Sequence, residues 1–421
     1  MSLQDKTVIE ITTQNPINGE YYYTDIILPA TEAEIEDGMQ RARKFGQPGI
    51  WHDIYVLNCP YLPELTDTLL DAPTIDELNF FAKRVQKLSE SELTAISGIF
   101  IHEKEQGKFD DGVTMKHLIN LTYGLESVAV VNGIFSDEQL GKFVLDNELE
   151  EFISEMPDEG LEYLDRHELG KKHRETEDGI FVDGRYIATA TYSHPEIYDG
   201  KNIPKDETLE YGDGVFLLKI AKEPRTDEEA EINEGSGLWI SLPITEEKAN
   251  EAARSLGEIS ITDCVYYDFK SGIPEIDGEF FGDMKKFDLL NKTAIQYSNM
   301  NEYGRIKYKA VLQKEEPQTL EKVFELSKCI DEYDISYYCD CKEAFAAAYL
   351  AYHLPTDFDR EYLDSLPLAQ FGERILEGLH ADITDYGVVS ERGGNLMALV
   401  PYRDEAPIIE SSEHEQGGMQ M

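Results

Sequence analysis

Leu28-Pro29-Ala30-Thr31-Glu32-Ala33-Glu34 marks the point where a strand gives way to a helix. Tyr21 to Leu28 reads as a strand, rich in aromatic and β-branched residues. Thr31 and Glu34 then form a capping box. The threonine hydroxyl takes an orphan N–H of the first helical turn, and the glutamate reaches back to the cap. A helix to about Lys44 follows. Working outward, Val8 to Ile11 and Ile50 to Leu57 read as two more strands, with a turn at Pro16 to Gly19 and a Pro-rich link at Pro60 to Pro63. The same junction returns far downstream as Leu242-Pro243-Ile244-Thr245, behind a strand at Val215 to Ile220.

The rest of the chain repeats with it. Thr74-Ile-Asp-Glu77 and Ser89-Glu-Ser-Glu92 are further capping boxes. The first opens a helix with Leu78, Phe81, Val85 and Leu88 on one face, the second a short helix. A helix at Met115 to Leu121, a strand at Ser127 to Val131 and a helix capped by Ser136 follow. After them come a helix at Arg166 to Arg174 and a hairpin around Asp183-Gly184. Pro63-Glu-Leu65 returns as Pro274-Glu-Ile276, and Glu77-Leu-Asn79 as Leu289-Leu-Asn291. Met115 to Leu121 returns as Leu320 to Leu326, and Glu162-Tyr-Leu-Asp165 as Glu361-Tyr-Leu-Asp364. Leu169-Gly170 returns as Phe371-Gly372, and the closing hairpin as Tyr386 to Met397. A period this long signals domain duplication, not a solenoid. The expected class is α+β in two tandem copies, 1–208 and 209–405. Each has a small α/β unit (7–70 in the first), a helical unit (74–105) and an α+β unit (113–192). Residues 406–421 form a polar, Gly-rich tail expected to be disordered.

Charge follows the repeat. The 421 residues hold 84 acids against 38 Lys plus Arg, a formal net charge of −46, yet 41% are hydrophobic and 10% aromatic. Such a chain has real cores, and its charge argues against direct binding to nucleic acid or an anionic membrane. Residues 1–210 carry 42 acids and 18 bases, a difference of 24; residues 211–421 carry 42 and 20, a difference of 22. A local acidic tail would not divide so evenly. Solubility alone is the competing explanation. The densest stretch is Asp146 to Asp165, with nine carboxylates and no Lys or Arg. Leu149, Phe152, Ile153 and Met156 recur there at helical spacing, which predicts a folded, charged face. Thr226 to Glu234 is a second dense run, expected as a loop between two strands.

Catalytic signatures are missing from the sequence. The nine histidines form no HExxH, and His167 and His173 read as lone surface residues. No nucleophile elbow or P-loop occurs. Gly212-Asp-Gly214 and Gly235-Ser-Gly237 read as turns. Asp277-Gly278 and Asp382 to Gly387 lack EF-hand spacing. Cys59, Cys264, Cys329, Cys339 and Cys341 are odd in number and contain no CxxC, which points to a reduced, cytoplasmic chain; Cys339-Asp340-Cys341 alone is weak evidence for a metal, and neither a metal nor a cofactor is expected. The N-terminus has no apolar signal core, and no apolar run approaches membrane length.

The segment Thr74 to Leu88 with Glu90 to Ala95 resembles the ArdA-like antirestriction proteins of bacterial mobile elements. So does the order Leu140-Gly141, Leu169-Gly170, then Gly179, Phe181, Gly184 and Tyr186. The second copy departs from it at Lys292, which stands for Phe80, and at Phe345-Ala346. The resemblance implies an elongated, non-enzymatic DNA mimic that occupies the DNA-binding groove of a type I restriction-modification enzyme. Short members pair, so whether the fused chain also forms a homodimer stays open. The charge agrees in scale: −46 matches about 78 Å of duplex, roughly 23 base pairs. Side chains three or four apart on a helix lie ~5–6 Å from each other, close enough to imitate a row of phosphates. Glu148, Glu151 and Glu155 have that spacing, as do Glu32 with Glu36 and Glu247 with Glu251. With Glu150, Asp158, Glu159, Asp357 and Asp359 they make up the expected partner-binding face. The other readings are an acidic chaperone sequestering a different basic DNA-binding protein, or an enzyme with an unrecognised site.

Overall fold

The computed structural model describes residues 6–14, 21–43, 52–60, 62, 69, 72–205, 214–337, 339–354 and 366–392. The turn at 16–19, most of the Pro-rich link, Pro63-Glu-Leu65, Asp357, Asp359, Glu361 to Asp364 and the tail lie outside these residues. The protein is α+β, with small three-stranded antiparallel sheets among helices.

Strands Thr7–Gln14 (β1), Tyr21–Leu28 (β2) and His52–Asn58 (β3) pair in the order β2-β1-β3. Ile9, Ile11, Ile26, Leu28 and Val56 point to one side and enter the main core of this half. Helix α1 (Glu32–Arg41) starts at the capping box read from the sequence, with both of its hydrogen bonds formed. Helices α2 (Ile75–Gln86) and α3 (Glu90–Glu105) start at the other two boxes. The second is a long helix, not a short one, because Ala95, Ile96, Ile99 and Phe100 continue its buried face. Then follow α4 (Met115–Leu121), β4 (Ala129–Asn132), α5 (Asp137–Asp146), α6 (Glu151–Glu155), α7 (Asp158–Leu161), α8 (Arg166–Thr176), β5 (Ile180–Val182) and β6 (Arg185–Ala188). The last sheet has the order β4-β6-β5, and its hairpin turns at Asp183 and Gly184, both with positive φ.

The second half repeats the order. Strands β7 (Phe216–Ala221), β8 (Leu238–Leu242) and β9 (Val265–Ser271) pair as β8-β7-β9, with α9 (Asp227–Ser236) between the first two. Next come α10 (Glu246–Ser255), α11 (Gly278–Phe281), α12 (Phe287–Ser298), α13 (Glu302–Glu315) and α14 (Leu320–Leu326). The half closes with β10 (Tyr333–Ser336), α15 (Lys342–His353), α16 (Leu368–Leu379), β11 (Ala381–Thr384) and β12 (Gly387–Glu391), ordered β10-β12-β11.

Two local devices recur. Asn79 on α2 accepts from the Ala30 N–H at 2.8 Å and donates to its carbonyl at 2.9 Å. Asn291 on α12 makes the same two bonds to Ile244, each 2.9 Å. Each asparagine clamps the strand-to-helix junction onto the helical unit. Helices α5 and α8 also cross closely at two glycines. A Cβ on Gly141 would overlap the Arg166 carbonyl oxygen, and one on Gly170 the Asp137 carbonyl oxygen. In the second half Gly372 presses on the Lys342 carbonyl in the same way, with Ala346 in the place of Gly141.

Two expectations are corrected. Thr226 to Glu234 is not a loop: Thr226 caps α9, and Asp227, Glu228 and Glu229 fill its first turn, where the helix dipole favours anions. The closing hairpin turns at Asp385-Tyr386, upstream of the stretch expected. Gly387 to Ser390 is buried throughout and is the middle strand of its sheet. It therefore needs a partner on each side, and Ala381–Thr384 supplies one.

Each half has its own apolar core, with a smaller one under its last sheet. Charge joins the halves. Asp37 on α1 accepts from Lys309 Nζ on α13 and from the Tyr386 hydroxyl, each at 2.6 Å, and from Arg41 Nε at 2.9 Å. Lys309 is fully buried. Arg305 pairs with Glu36 at 3.1 Å, Lys270 donates to the Pro29 carbonyl at 3.2 Å, and Arg43 donates to the Asp385 carbonyl.

Candidate partner-binding surface

The stretch Asp146 to Asp165 does not form one helix. Helix α5 ends in a Schellman turn: Leu149 N–H bonds the Val144 carbonyl at 3.0 Å and Glu148 N–H the Leu145 carbonyl at 3.3 Å. Glu148 holds the left-handed position at φ 50°, where glycine is usual. It therefore stands outside α6 and shares no helix face with Glu151 and Glu155. Those two are exposed, four apart, on a helix of only five residues. Of the four apolar residues at helical spacing, only Ile153 is buried, in the small core with Leu140, Val144 and Leu169. Leu149 and Phe152 are exposed because Pro157 ends the helix before a second apolar turn can form.

Glu150 is corrected for another reason. Its Oε1 lies 2.8 Å from His173 Nδ1, so it fastens the start of α6 to α8, and His173 is no lone surface residue. Asp158 and Glu159 open α7; their side chains lie outside the described residues, as do Asp357 and Asp359 altogether. Glu32 is exposed in the first turn of α1. Glu36 is not free: besides Arg305 it accepts from Gln40 Nε2 at 2.9 Å. Helix α1 is docked against α13, so its second candidate carboxylate faces inward. Glu247 and Glu251 on α10 are exposed and form no ion pair among the described residues.

The carboxylates thus fall into two groups. One holds the fold. Asp37 joins the halves. Glu103 is buried and receives His117 Nε2 at 2.7 Å, Lys108 Nζ at 3.0 Å and His194 Nδ1 at 3.4 Å. Burial raises the Glu103 pKa, but its bonds to His117 and Lys108 outweigh this and hold it below the usual range. Asp137 is lowered chiefly by its bidentate contact with Arg174 at 2.7 and 3.1 Å. Glu275, beside the junction, has an enclosed Oε2 with no hydrogen-bond partner, and burial pushes its pKa up to about 7.

The other group is exposed and uncompensated. It includes Glu151 and Glu155 on α6, Glu247 and Glu251 on α10, and Asp227, Glu228, Glu229 and Glu231 on α9. None of these forms an ion pair among the described residues. The α9 acids were missed as site residues, although Thr226 followed by three acids is the signature of a helix start.

An open cleft of about 640 Å³ contains His102, Asp137, Arg174 and Phe181, but its guanidinium is committed to Asp137. Among the described residues no group of three potential ligands could hold a metal ion. Cys341 caps α15 through its sulfur, and burial pushes the Cys339 thiol up to about 11. No described helix is long and apolar enough to cross a membrane. A scan against protein-family models found no match, and a search of curated proteins found none either.

Proposed function

We propose that this chain is an acidic DNA mimic that occupies the basic DNA-binding groove of a host defence complex, a type I restriction-modification enzyme. One observation carries the reading. The acids that the fold needs are paired inside, while α6, α9 and α10 present exposed carboxylates that form no ion pair among the described residues. The resemblance to ArdA-like proteins supplies the class of target. The mechanism is competitive occupation. A groove that releases counterions on binding duplex gains the same entropy from a protein surface of similar charge density, and long-range attraction speeds the encounter. No bond is made or broken.

The test is displacement of a labelled duplex from a purified type I restriction complex at two salt concentrations. Displacement should be strong at low salt and fall steeply as salt rises. Reversing Glu151, Glu155, Glu247 and Glu251 together to lysine should weaken it by about tenfold or more. A chain that neither binds the complex nor displaces the duplex at low salt ends this reading.

A further inference from the structure

The three-stranded sheet occurs twice, and its two outer faces differ. In the second half the chain covers that face itself. Phe216, Leu218 and Ile220 on β7 point into the core, so Leu217 and Lys219 point away from it. Leu217 is nonetheless buried. At one end Lys270 reaches Glu34 of α1 at 3.7 Å, and Gly272 abuts Ala33. At the other end α9 closes over: Lys219 Nζ donates to the Gly235 carbonyl at 3.5 Å, and Asn233 Nδ2 to the Tyr267 hydroxyl at 3.4 Å.

In the first half the outer face of β2-β1-β3 is more open: Val8 and Thr12 are buried and Glu10, Tyr23 and Asp25 border a cleft shared with Arg41, Arg43 and Ile383 to Asp385, but the larger side chains stand in solvent. Tyr21, Tyr23 and Ile27 on β2, and Tyr55 and Leu57 on β3, are between 41% and 61% exposed. Among them stand Glu10, Asp25 and Asp53. The register sets Glu10 between Asp25 and Tyr55, and Thr12 between Tyr23 and Asp53. These three carboxylates are the only acidic residues of the three strands, which contain no Lys or Arg. Five large side chains on one face exceed the scattered apolar exposure that is ordinary on a surface.

Charge selects the occupant. A neutral apolar partner would strip water from three carboxylates and return nothing. Guanidinium and ammonium groups suit both features, since they stack on tyrosine rings and pair with the acids between them. We propose that the outer face of β2-β1-β3 is a docking surface for a basic protein, separate from the acids of α6, α9 and α10. This rests on the reading that the partner is a basic protein, and adds an aromatic contact which net charge alone would not supply.

The experiment measures binding of a labelled oligoarginine peptide, and in parallel of a purified type I restriction complex, to the full chain. Tyr23→Ala/Tyr55→Ala leaves the charge unchanged, and both side chains are more than half exposed, so the melting temperature should hold. This variant should bind the peptide about fivefold or more weakly. Glu175→Gln/Glu321→Gln, at two exposed acids outside both surfaces, should lose less than twofold, although it removes two charges. Equal binding by wild type and the tyrosine variant overturns the proposal. So does a sedimentation experiment in which the tyrosine variant turns a dimer into monomers, since the occupant would then be a second copy. Peptide binding that depends on the tyrosines, with no binding of the restriction complex by wild type, supports the face and overturns the antirestriction reading alone.

Discussion

Helices α1 and α10 occupy the same place in the two halves and do opposite things with their acids. Each follows a Leu-Pro step, starts at a threonine cap and is clamped through an asparagine of the helical unit. Counting from the cap, Asp37 on α1 corresponds to Glu251 on α10. Asp37 is buried against Lys309, Tyr386 and Arg41, whereas Glu251 stands in solvent. The difference lies in the neighbours. Helix α1 has α13 of the other half in front of it, while α10 buries only Ala249 and Ala253 into its own half. A carboxylate is thus structural or available according to what packs opposite, and composition does not distinguish the two.

Removing the two equivalent acids should give the largest contrast. Asp37→Ala leaves a buried ammonium without its counter-charge and should cost about 3–5 kcal/mol in denaturant unfolding. Glu251→Ala should stay within about 0.5 kcal/mol. Similar losses from the two variants would break the comparison.

Glu275 sharpens it through pH. Its folded pKa of about 7 lies above the ordinary 4.5. Below the unfolded value both states hold the proton, and the group contributes nothing to stability. As pH rises from 4.5 through 7, the folded state keeps a proton that the unfolded state has released, so stability falls and then levels off. Glu275→Gln should flatten that slope and stabilise the protein by about 2–3 kcal/mol at pH 8. An unchanged slope in the variant would assign the pH dependence to another group.

The smallest effect concerns an acid that faces outward at a backbone cost. Glu148 holds a left-handed turn position, so Glu148→Gly should raise stability by about 1 kcal/mol while removing one surface charge. Thermal melting reads the first effect and duplex displacement the second. A loss of stability would show that the side chain holds the turn.

Much of the fold was legible because its signals are local. Capping boxes at Thr31, Thr74 and Ser89 placed three helix starts, and Asp183-Gly184 placed a hairpin. The repeat of Asn79 as Asn291 was legible as part of the duplication, but its role as a clamp came only from the structure. The candidate surface was only partly legible. Spacing put Glu148, Glu151 and Glu155 on one helix, but the Schellman turn after α5 sets Glu148 apart. Spacing likewise left Glu36 and Glu150 free, but Arg305 and His173 hold them from elements distant in sequence.

The sequence by itself determined the α+β class, the repeated order of elements, and a charge of −46 divided almost evenly between the halves of the chain. Those properties follow from caps, turns and periodicity, which act over a few residues, and from composition, which needs no geometry. Only the tertiary structure decided which carboxylates are spent inside and which face solvent. It alone set Asp37 against Lys309 across the junction and left the tyrosines of the first sheet exposed. A side chain's desolvation and its counter-charge depend on what the chain brings back from hundreds of residues away, and no local pattern carries that information.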